Sequence, residues 1–291
     1  MPQTVTRFAP SPTGPLHTGH ALAALVAHDL ARRAGGRFLL RFEDIDTARC
    51  RPEYEAGTCT DLAWLGLAWD APPWRQSARL DTYRAALDAL IERGLAYPCF
   101  CTRRDIAAEV ARMGAAPHGP EGPLYPGTCR PLTADERAAR LADGAVAAWR
   151  LDAAACSAVA GPLRFTEHGR GPGGERGEIA VDPALLGDVV LGRRDLGVAY
   201  HLACVADAAA QGVTLVTRGE DLLPATHVQR LLQAVLGLPA PAYHHHGLVR
   251  DAAGRRLAKR DAARSLAALR ETGTDPAMLA AELRSLAGLS I

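Results

Sequence analysis

The sequence predicts an α/β protein: a Rossmann-like, doubly wound parallel sheet with an inserted α+β domain and a short helical C-terminal tail. An apolar strand at 5–9, a helix at 18–33 and a second strand at 38–42 follow the strand–helix–strand order of a parallel sheet. Strand character returns near residue 189, after a stretch rich in proline, glycine and cysteine. This interruption indicates an insertion into one sheet domain.

Local patterns predict the remaining elements. Gly35 and Gly36 end the first helix, and Gly237 ends a late one. We expect further helices at 52–65, 77–93, 133–141 and 224–236, and further strands at 145–151, 163–165, 189–191, 199–205 and 213–217. We expect the main domain to consist of two halves, 1–97 and 189–260. The insert then covers 98–188, and the tail covers 261–291.

Composition is that of an ordinary globular protein. The 291 residues are 48% hydrophobic and 22% charged, and no apolar stretch is long enough to span a bilayer. The first residues lead directly into a strand without an export segment, so we expect a cytoplasmic monomer that binds no membrane. A net charge of +1 neither requires nor excludes a nucleic-acid partner, because phosphate binding depends on local clusters.

The segment at 7–20, RFAPSPTGPLHTGH, places a loop between a strand and a helix N-terminus. Free backbone N–H groups and the positive end of the helix dipole attract phosphate there. Gly19 leaves room for a nucleotide beside the backbone, and His17 and His20 lie one turn apart, so both imidazoles can reach one phosphate. Taken alone, the two histidines could equally be a loop histidine and a half-buried helix histidine.

Three of the seven cysteines form a pattern suited to a metal. Cys99 and Cys101 stand at i and i+2, and Cys129 returns after a loop rich in proline and glycine, so three thiolates can bind one tetrahedral Zn²⁺. A fourth ligand is then needed, and ligand preference alone favours His118. Three reduced structural cysteines are the alternative, while the odd number of cysteines argues against a disulfide framework.

Charged side chains at the ends of predicted strands can bind ligand groups of opposite charge. Arg7 ends the first strand and Arg218 another, and a planar guanidinium can bind a carboxylate through two hydrogen bonds. Glu43 follows the second strand and can neutralise an ammonium group, and Tyr200 offers a hydroxyl. For any one of them, an ion pair at the sheet edge is the structural alternative.

The segment at 7–20 resembles the HIGH signature of class I aminoacyl-tRNA synthetases, in the form carried by the glutamyl and glutaminyl group. The segment at 256–260, RLAKR, resembles their KMSKS motif. This resemblance covers nearly the whole chain but only the catalytic part of that family, and it implies a class I synthetase fold that binds ATP with Mg²⁺. The residues it assigns to ATP are His17, Gly19, His20, Arg256 and Lys259.

The same resemblance assigns catalytic roles to His17, His20 and Lys259: the histidines donate hydrogen bonds to phosphate, and the lysine meets the charge on departing pyrophosphate. Two residues depart from the motif. Arg256 replaces a lysine and keeps the charge, whereas Ala258 replaces a serine and removes a hydroxyl.

The segments around the strand ends resemble, in order, the glutamate-binding motifs of the glutamyl group. The resemblance implies that L-glutamate is the amino acid. The residues it places in the pocket are Arg7, Ala9, Ser11, Glu43, Tyr200 and Arg218.

The pattern Cys-x-Cys at 99–101 and Tyr-x-x-x-Cys at 125–129 resembles the zinc site of short paralogues of glutamyl-tRNA synthetase. It implies that the oxygen of Tyr125 is the fourth ligand, beside Cys99, Cys101 and Cys129. One Zn²⁺ with four protein ligands has no open position, so we expect it to stabilise the insert.

Only residues 261–291 follow the KMSKS-like segment, whereas a full glutamyl-tRNA synthetase continues with a large helical anticodon-binding domain. In this respect the chain resembles the short paralogues. The resemblance implies that glutamate is activated without tRNA and then transferred to queuosine at the wobble position of tRNA(Asp).

Three alternatives remain open from sequence: a short synthetase that charges an ordinary tRNA acceptor end, an enzyme that transfers glutamate to a small molecule, and a non-catalytic sensor. A run of three histidines, His244 to His246, also suggests a metal site, but alternation along a strand would turn neighbouring side chains to opposite faces. We therefore interpret the run as structural.

Overall fold

The computed structural model describes residues 3–112, 118–119, 122–193, 197–249 and 265–287. The strands in these ranges are β1 (Val5–Phe8), β2 (Arg37–Phe42), β3 (Trp74–Arg75), β4 (Ala96–Cys99), β5 (His118–Gly119), β6 (Gly122–Pro123), β7 (Ala148–Leu151), β8 (Arg164–Glu167), β9 (Gly177–Ala180), β10 (Val190–Gly192), β11 (Leu215–Gly219) and β12 (Ala242–His246).

The helices in the same ranges are α1 (Thr18–Arg33), α2 (Pro52–Trp64), α3 (Leu80–Glu92), α4 (Arg103–Arg112), α5 (Ala134–Ala142), α6 (Ala153–Ala160), α7 (Tyr200–Ala210), α8 (Leu223–Val235), α9 (Leu266–Glu271) and α10 (Pro276–Leu286). Short 3₁₀ turns occupy Gln76–Arg79, Pro183–Leu185 and Glu220–Leu222. No helix in the described residues is both long and apolar enough to cross a bilayer.

The first half of the main sheet is parallel, as the sequence predicts. Strand β1 pairs with β2, and β2 pairs with β3, both in parallel. Helix α1 connects the first two strands and packs its apolar residues against Phe38, Leu40 and Phe42 of β2. The αL conformation of Gly35, with φ 60°, lets the chain reverse after this helix.

The second half is also mainly parallel. Strand β11 pairs with β12 and β12 pairs with β8, both in parallel, and β9 closes this edge as an antiparallel strand. The two halves meet where β1 lies beside β11, because the backbone N–H of Thr214 donates to the carbonyl of Val5 at 3.0 Å. From this junction the chain connects outward in opposite directions, which is the topological switch point of a doubly wound sheet.

A separate antiparallel sheet, with strand order β10-β7-β4, carries the cysteine cluster at the end of β4. Although β8 and β9 lie within the segment 98–188, they complete the sheet formed by β11 and β12. The domain boundaries proposed from the sequence stay a prediction.

One predicted element is wrong. The segment 199–205, predicted as a strand, instead begins helix α7 (Tyr200–Ala210). Its apolar residues are buried on several sides of the helix, so the run shows no helical periodicity, and a short apolar run cannot be assigned by periodicity alone. The alanine-rich continuation to residue 210 favours helix.

Candidate active site

A cavity of about 440 Å³ opens at the junction of β1 and β11. The carboxyl ends of both strands and the start of α7 surround it, where an open α/β sheet binds its ligands. Every residue that the sequence assigns to glutamate lines this cavity, and so does His20. These residues are Arg7, Ala9, Ser11, Glu43, Tyr200 and Arg218.

Two buried arginines bring positive charge to the cavity. Arg7 and Arg218 are 8% and 5% exposed. Arg7 donates to the carbonyl of Thr217 at 2.7 Å. Burial, together with the charges of Arg41 and Arg218, lowers the pKa of Arg7. No carboxylate among the described residues forms an ion pair with Arg7 or Arg218.

Neutral acceptors hold Arg218 on three sides. Its Nε donates to Nε2 of His245 at 3.2 Å, one terminal nitrogen to Gln229 Oε1 at 2.8 Å, and the other to Thr226 Oγ1 at 2.6 Å. The guanidinium also lies 5.5 Å from the ring centre of Tyr243. A guanidinium has five N–H donors, so each terminal nitrogen keeps one for which no acceptor is found in the described part of the chain.

Glu43 is the acidic group of the cavity. Its Oε1 accepts from Arg41 at 3.1 Å and from the thiol of Cys204 at 3.1 Å. In the described residues, Oε2 accepts no hydrogen bond and can bind an ammonium group. Arg41 is fully buried and also lies 3.7 Å from Asp207.

Asp207 anchors this side of the cavity from helix α7. Its carboxylate accepts from Arg79 at 2.7 Å, from Tyr83 at 2.7 Å and from Gln76 at 3.3 Å. Burial opposes the charge of Arg41, but Cys204, Glu43 and Asp207 outweigh it and raise the pKa of that guanidinium.

The two histidines of the first segment cap helix α1. Nδ1 of His17 accepts from the backbone N–H of Gly19 at 3.1 Å, and Nδ1 of His20 accepts from the N–H of His17 at 3.2 Å. The ring centroids lie 3.8 Å apart, so both imidazoles lie together at the N-terminus of α1. Because Nδ1 accepts in both rings, each neutral imidazole carries its proton on Nε2.

Gly19 allows this cap to form. A Cβ at that position would lie 3.1 Å from the ring of His17, closer than most Cβ contacts. Arg256 and Lys259 lie outside the described residues, so the roles assigned to them stay predictions.

The three cysteines of the predicted metal site lie together. Their sulfur atoms are all within 4.8 Å of one another, which is compatible with one metal ion. Tyr125 Oη accepts from the thiol of Cys99 at 3.4 Å and from the backbone N–H of Cys129 at 2.9 Å. Burial opposes ionisation of Cys129, but its hydrogen bonds to Phe100, Tyr125 and Cys101 lower the pKa of that thiol. The side chain of His118 lies outside the described residues.

Sequence reasoning missed the residues that hold the arginines. Asp207 lies in helix α7, whose first part the sequence predicts as a strand, and Thr226 and Gln229 lie inside the predicted helix at 224–236, where the local pattern indicates no ligand. Glu167 and His245 form a buried pair with Nδ1 of the histidine 2.5 Å from the carboxylate. The run of histidines at 244–246 is the sequence signal for His245, although the alternation of a strand favours a structural interpretation of that run.

The fold and this cavity define a catalytic domain of the class I tRNA synthetases. The family model of tRNA synthetases class I (E and Q), catalytic domain, matches residues 3–290. A glutamate tRNA ligase from Elizabethkingia meningosepticum, solved in complex with its amino acid, is 30% identical with a TM-score of 0.73. The match covers 89% of this chain and 52% of that one, so this chain spans about half the length of that ligase.

Within that class, the chain belongs to the family of the glutamyl-Q tRNA(Asp) synthetases. The relative of that name from Rhodobacter capsulatus is 53% identical, over 98% of this chain and 100% of its own length. Its counterpart from Symbiobacterium thermophilum is 45% identical, over 97% of this chain and 86% of its own length.

Proposed function

We propose that this chain activates L-glutamate with ATP, without tRNA, and then transfers glutamate to queuosine at the wobble position of tRNA(Asp). The observation that carries the first step is the pair of buried arginines, Arg7 and Arg218, which share one cavity and form no ion pair with a described carboxylate. A buried charge is costly unless a counter-charge joins it. An anionic substrate supplies that charge.

The polarity of the cavity supports glutamate over its neutral analogue. Arg7 and Arg218 bind the side-chain carboxylate, and Oε2 of Glu43 binds the α-ammonium group. Glutamine is isosteric but uncharged, so it leaves both guanidinium groups without a counter-charge and binds more weakly. Tyr200 also lines the cavity, and burial raises the pKa of its hydroxyl, which therefore stays protonated and adds a hydrogen-bond donor.

The first chemical step needs no nucleophilic side chain. One oxygen of the substrate α-carboxylate attacks the α-phosphorus of ATP, a P–O bond forms, and the bond to pyrophosphate breaks. His17 and His20 donate through Nε2–H to phosphate oxygens at the N-terminus of α1, and Lys259 neutralises charge on the departing pyrophosphate. Mg²⁺ enters with ATP as part of that substrate.

In the second step a ring hydroxyl of queuosine attacks the carbonyl carbon of the adenylate. An ester bond forms, the bond to AMP breaks, and the hydroxyl proton leaves to solvent. The support for this acceptor comes from the relatives, which are named glutamyl-Q tRNA(Asp) synthetases and match nearly the whole chain.

We further propose that Cys99, Cys101, Tyr125 and Cys129 bind one structural Zn²⁺. The close approach of the sulfur atoms and of Tyr125 Oη supports this ligand set. Burial and the hydrogen bond with Cys99 raise the pKa of Tyr125, so its phenol needs a strong cation nearby to ionise, which Zn²⁺ supplies.

Pyrophosphate exchange and labelled-glutamate transfer test the function. Exchange into ATP should require glutamate and no tRNA. Glutamate should be transferred to tRNA(Asp) only when queuosine is present. Charging of tRNA(Glu), or undiminished transfer to tRNA(Asp) without queuosine, would support an ordinary synthetase.

Elemental analysis tests the metal. Protein purified without added metal should contain one zinc per chain, and C101S and C129S should lose it while C156S, at a buried cysteine outside the cluster, keeps it. Equal zinc content in all four proteins would assign the cluster to structural thiols.

A further inference from the structure

Glu167 and His245 are buried behind Arg218, and neither of them lines the cavity. Both side chains are fully buried. Glu167 Oε2 accepts from His245 Nδ1 at 2.5 Å, and Oε1 accepts from the backbone N–H groups of His245 at 2.9 Å and Gly169 at 2.7 Å. The carboxylate is thereby fixed at three points.

This arrangement fixes the tautomer of His245. A carboxylate only accepts hydrogen bonds, so the ring proton lies on Nδ1 and Nε2 is an acceptor. Nε2 faces Nε–H of Arg218 at 3.2 Å and the hydroxyl of Thr226 at 3.3 Å. The opposite tautomer would direct an N–H at the N–H of Arg218.

The sheet places the pair in line with the arginine. Strand β12 lies between β11 and β8, with Arg218 in register with His245 and Tyr243 in register with Glu167. The loop after β8 approaches β12 closely at Gly169, where a Cβ would lie 2.1 Å from the carbonyl oxygen of His245. Only glycine permits this approach, which delivers the Gly169 N–H to Glu167.

We propose that Glu167 and His245 are a positioning pair, which orients the Arg218 guanidinium toward an anionic substrate side chain while leaving its positive charge uncompensated. This inference rests on the proposed function. A carboxylate in direct contact with Arg218 would orient it equally well but would neutralise it. The imidazole transmits the orientation and keeps the negative charge of Glu167 one ring away.

Substitution of Glu167 by glutamine tests the pair with little change of shape. In E167Q the amide oxygen can keep the two backbone bonds, but the NH₂ group then faces His245 Nδ1 and favours the tautomer with its proton on Nε2. Two donors then meet at Arg218. We expect the KM for glutamate to rise about 10-fold, the scale of one hydrogen bond to a charged group, with the KM for ATP and kcat within about twofold.

Two substitutions of His245 separate positioning from packing. H245Q retains an amide oxygen that can accept from Arg218, so its KM for glutamate should rise less than that of H245A. H244A is the matched control, because neighbouring residues of a strand point to opposite faces. It should keep the KM of the wild type.

Nitrogen-15 NMR of the histidine rings decides the tautomer without reference to activity. The wild type should show His245 protonated on Nδ1 alone, and E167Q should show the proton on Nε2. An Nε2–H ring in the wild type, or an unchanged glutamate KM in folded E167Q, would overturn the pairing. Absence of glutamate-dependent exchange in the wild type would reject the proposed function, and the NMR result would still decide the pair.

Discussion

Arg41 and Arg218 are both buried, and Arg218 lines the cavity whereas Arg41 contacts Glu43 of its lining, but the partners of the two arginines differ. Arg41 contacts two carboxylates, Glu43 at 3.1 Å and Asp207 at 3.7 Å. Arg218 contacts an imidazole, an amide and a hydroxyl, all of them neutral. The charge of Arg41 is therefore compensated by carboxylates of the protein, whereas Arg218 forms no ion pair with a described carboxylate.

The difference in partners indicates a structural role for Arg41 and a substrate-binding role for Arg218. A compensated arginine contributes to folding, because removing it leaves buried carboxylates without a cation. A buried arginine without an ion pair lowers the free energy of unfolding, and it stabilises the complex when a substrate carboxylate binds to it. Comparing stability with glutamate binding for each arginine therefore tests the interpretation of the whole cavity.

The largest expected effect is on the stability of R41M. This substitution leaves Glu43 without its ion pair and removes one of the two cations beside Asp207, so we expect the free energy of unfolding to fall by about 3–5 kcal/mol. Urea denaturation measures it. A loss below about 1 kcal/mol would show that Arg41 is not needed to compensate these carboxylates.

The next effect is on glutamate binding by R218M. We expect the KM for glutamate to rise about 30- to 1,000-fold, equivalent to about 2–4 kcal/mol, because the substrate carboxylate loses its buried partner. The free energy of unfolding should change by only about 1 kcal/mol, since no buried carboxylate is left unpaired. Pyrophosphate exchange and urea denaturation measure the two quantities.

R41M is the matched comparison for this experiment. If R218M loses as much stability as R41M while keeping its glutamate KM, Arg218 belongs to the fold and the cavity does not select an anion.

The residues at the ends of strands could be predicted from the sequence, and those that hold them could not. Arg7 lies near the carboxyl end of β1 and Glu43 follows β2, and parallel strands place their carboxyl ends at one edge, so local patterns suffice. The contact of Arg218 with His245 depends on which strands are neighbours. That order is set by the packing of the whole sheet, which no local pattern encodes.

Asp207 shows a second limit. It lies 128 positions from Arg79 and 124 from Tyr83, and both contact it only because segment 199–205 is helical. The predicted strand would have turned alternate residues of this segment away from each other. The wrong secondary structure therefore concealed the residue that compensates Arg41, although Tyr200 was still assigned to the cavity.

The smallest expected effect concerns His201, the neighbour of Tyr200 at the start of α7. Burial first, and the charge of Arg218 second, lower the pKa of His201 to about 4 from 6.5. Its Nδ1 is buried and has no hydrogen-bond partner among the described residues. An uncompensated Arg218 should repel a proton on this ring, so the pKa of His201 should rise in R218M but stay below 6.5, because burial remains.

The lowered pKa of His201 also determines how the free energy of unfolding changes with pH. Between pH 6.5 and about 4 the unfolded chain protonates His201 and the folded chain does not, so this residue lowers stability as the pH falls through that window. H201Q should therefore lose less stability than the wild type between pH 7 and pH 4.5. Glutamate bound to Arg218 should raise the pKa of His201 in the wild type and leave it unchanged in R218M. A ring that titrates identically with and without glutamate would place the substrate carboxylate away from Arg218.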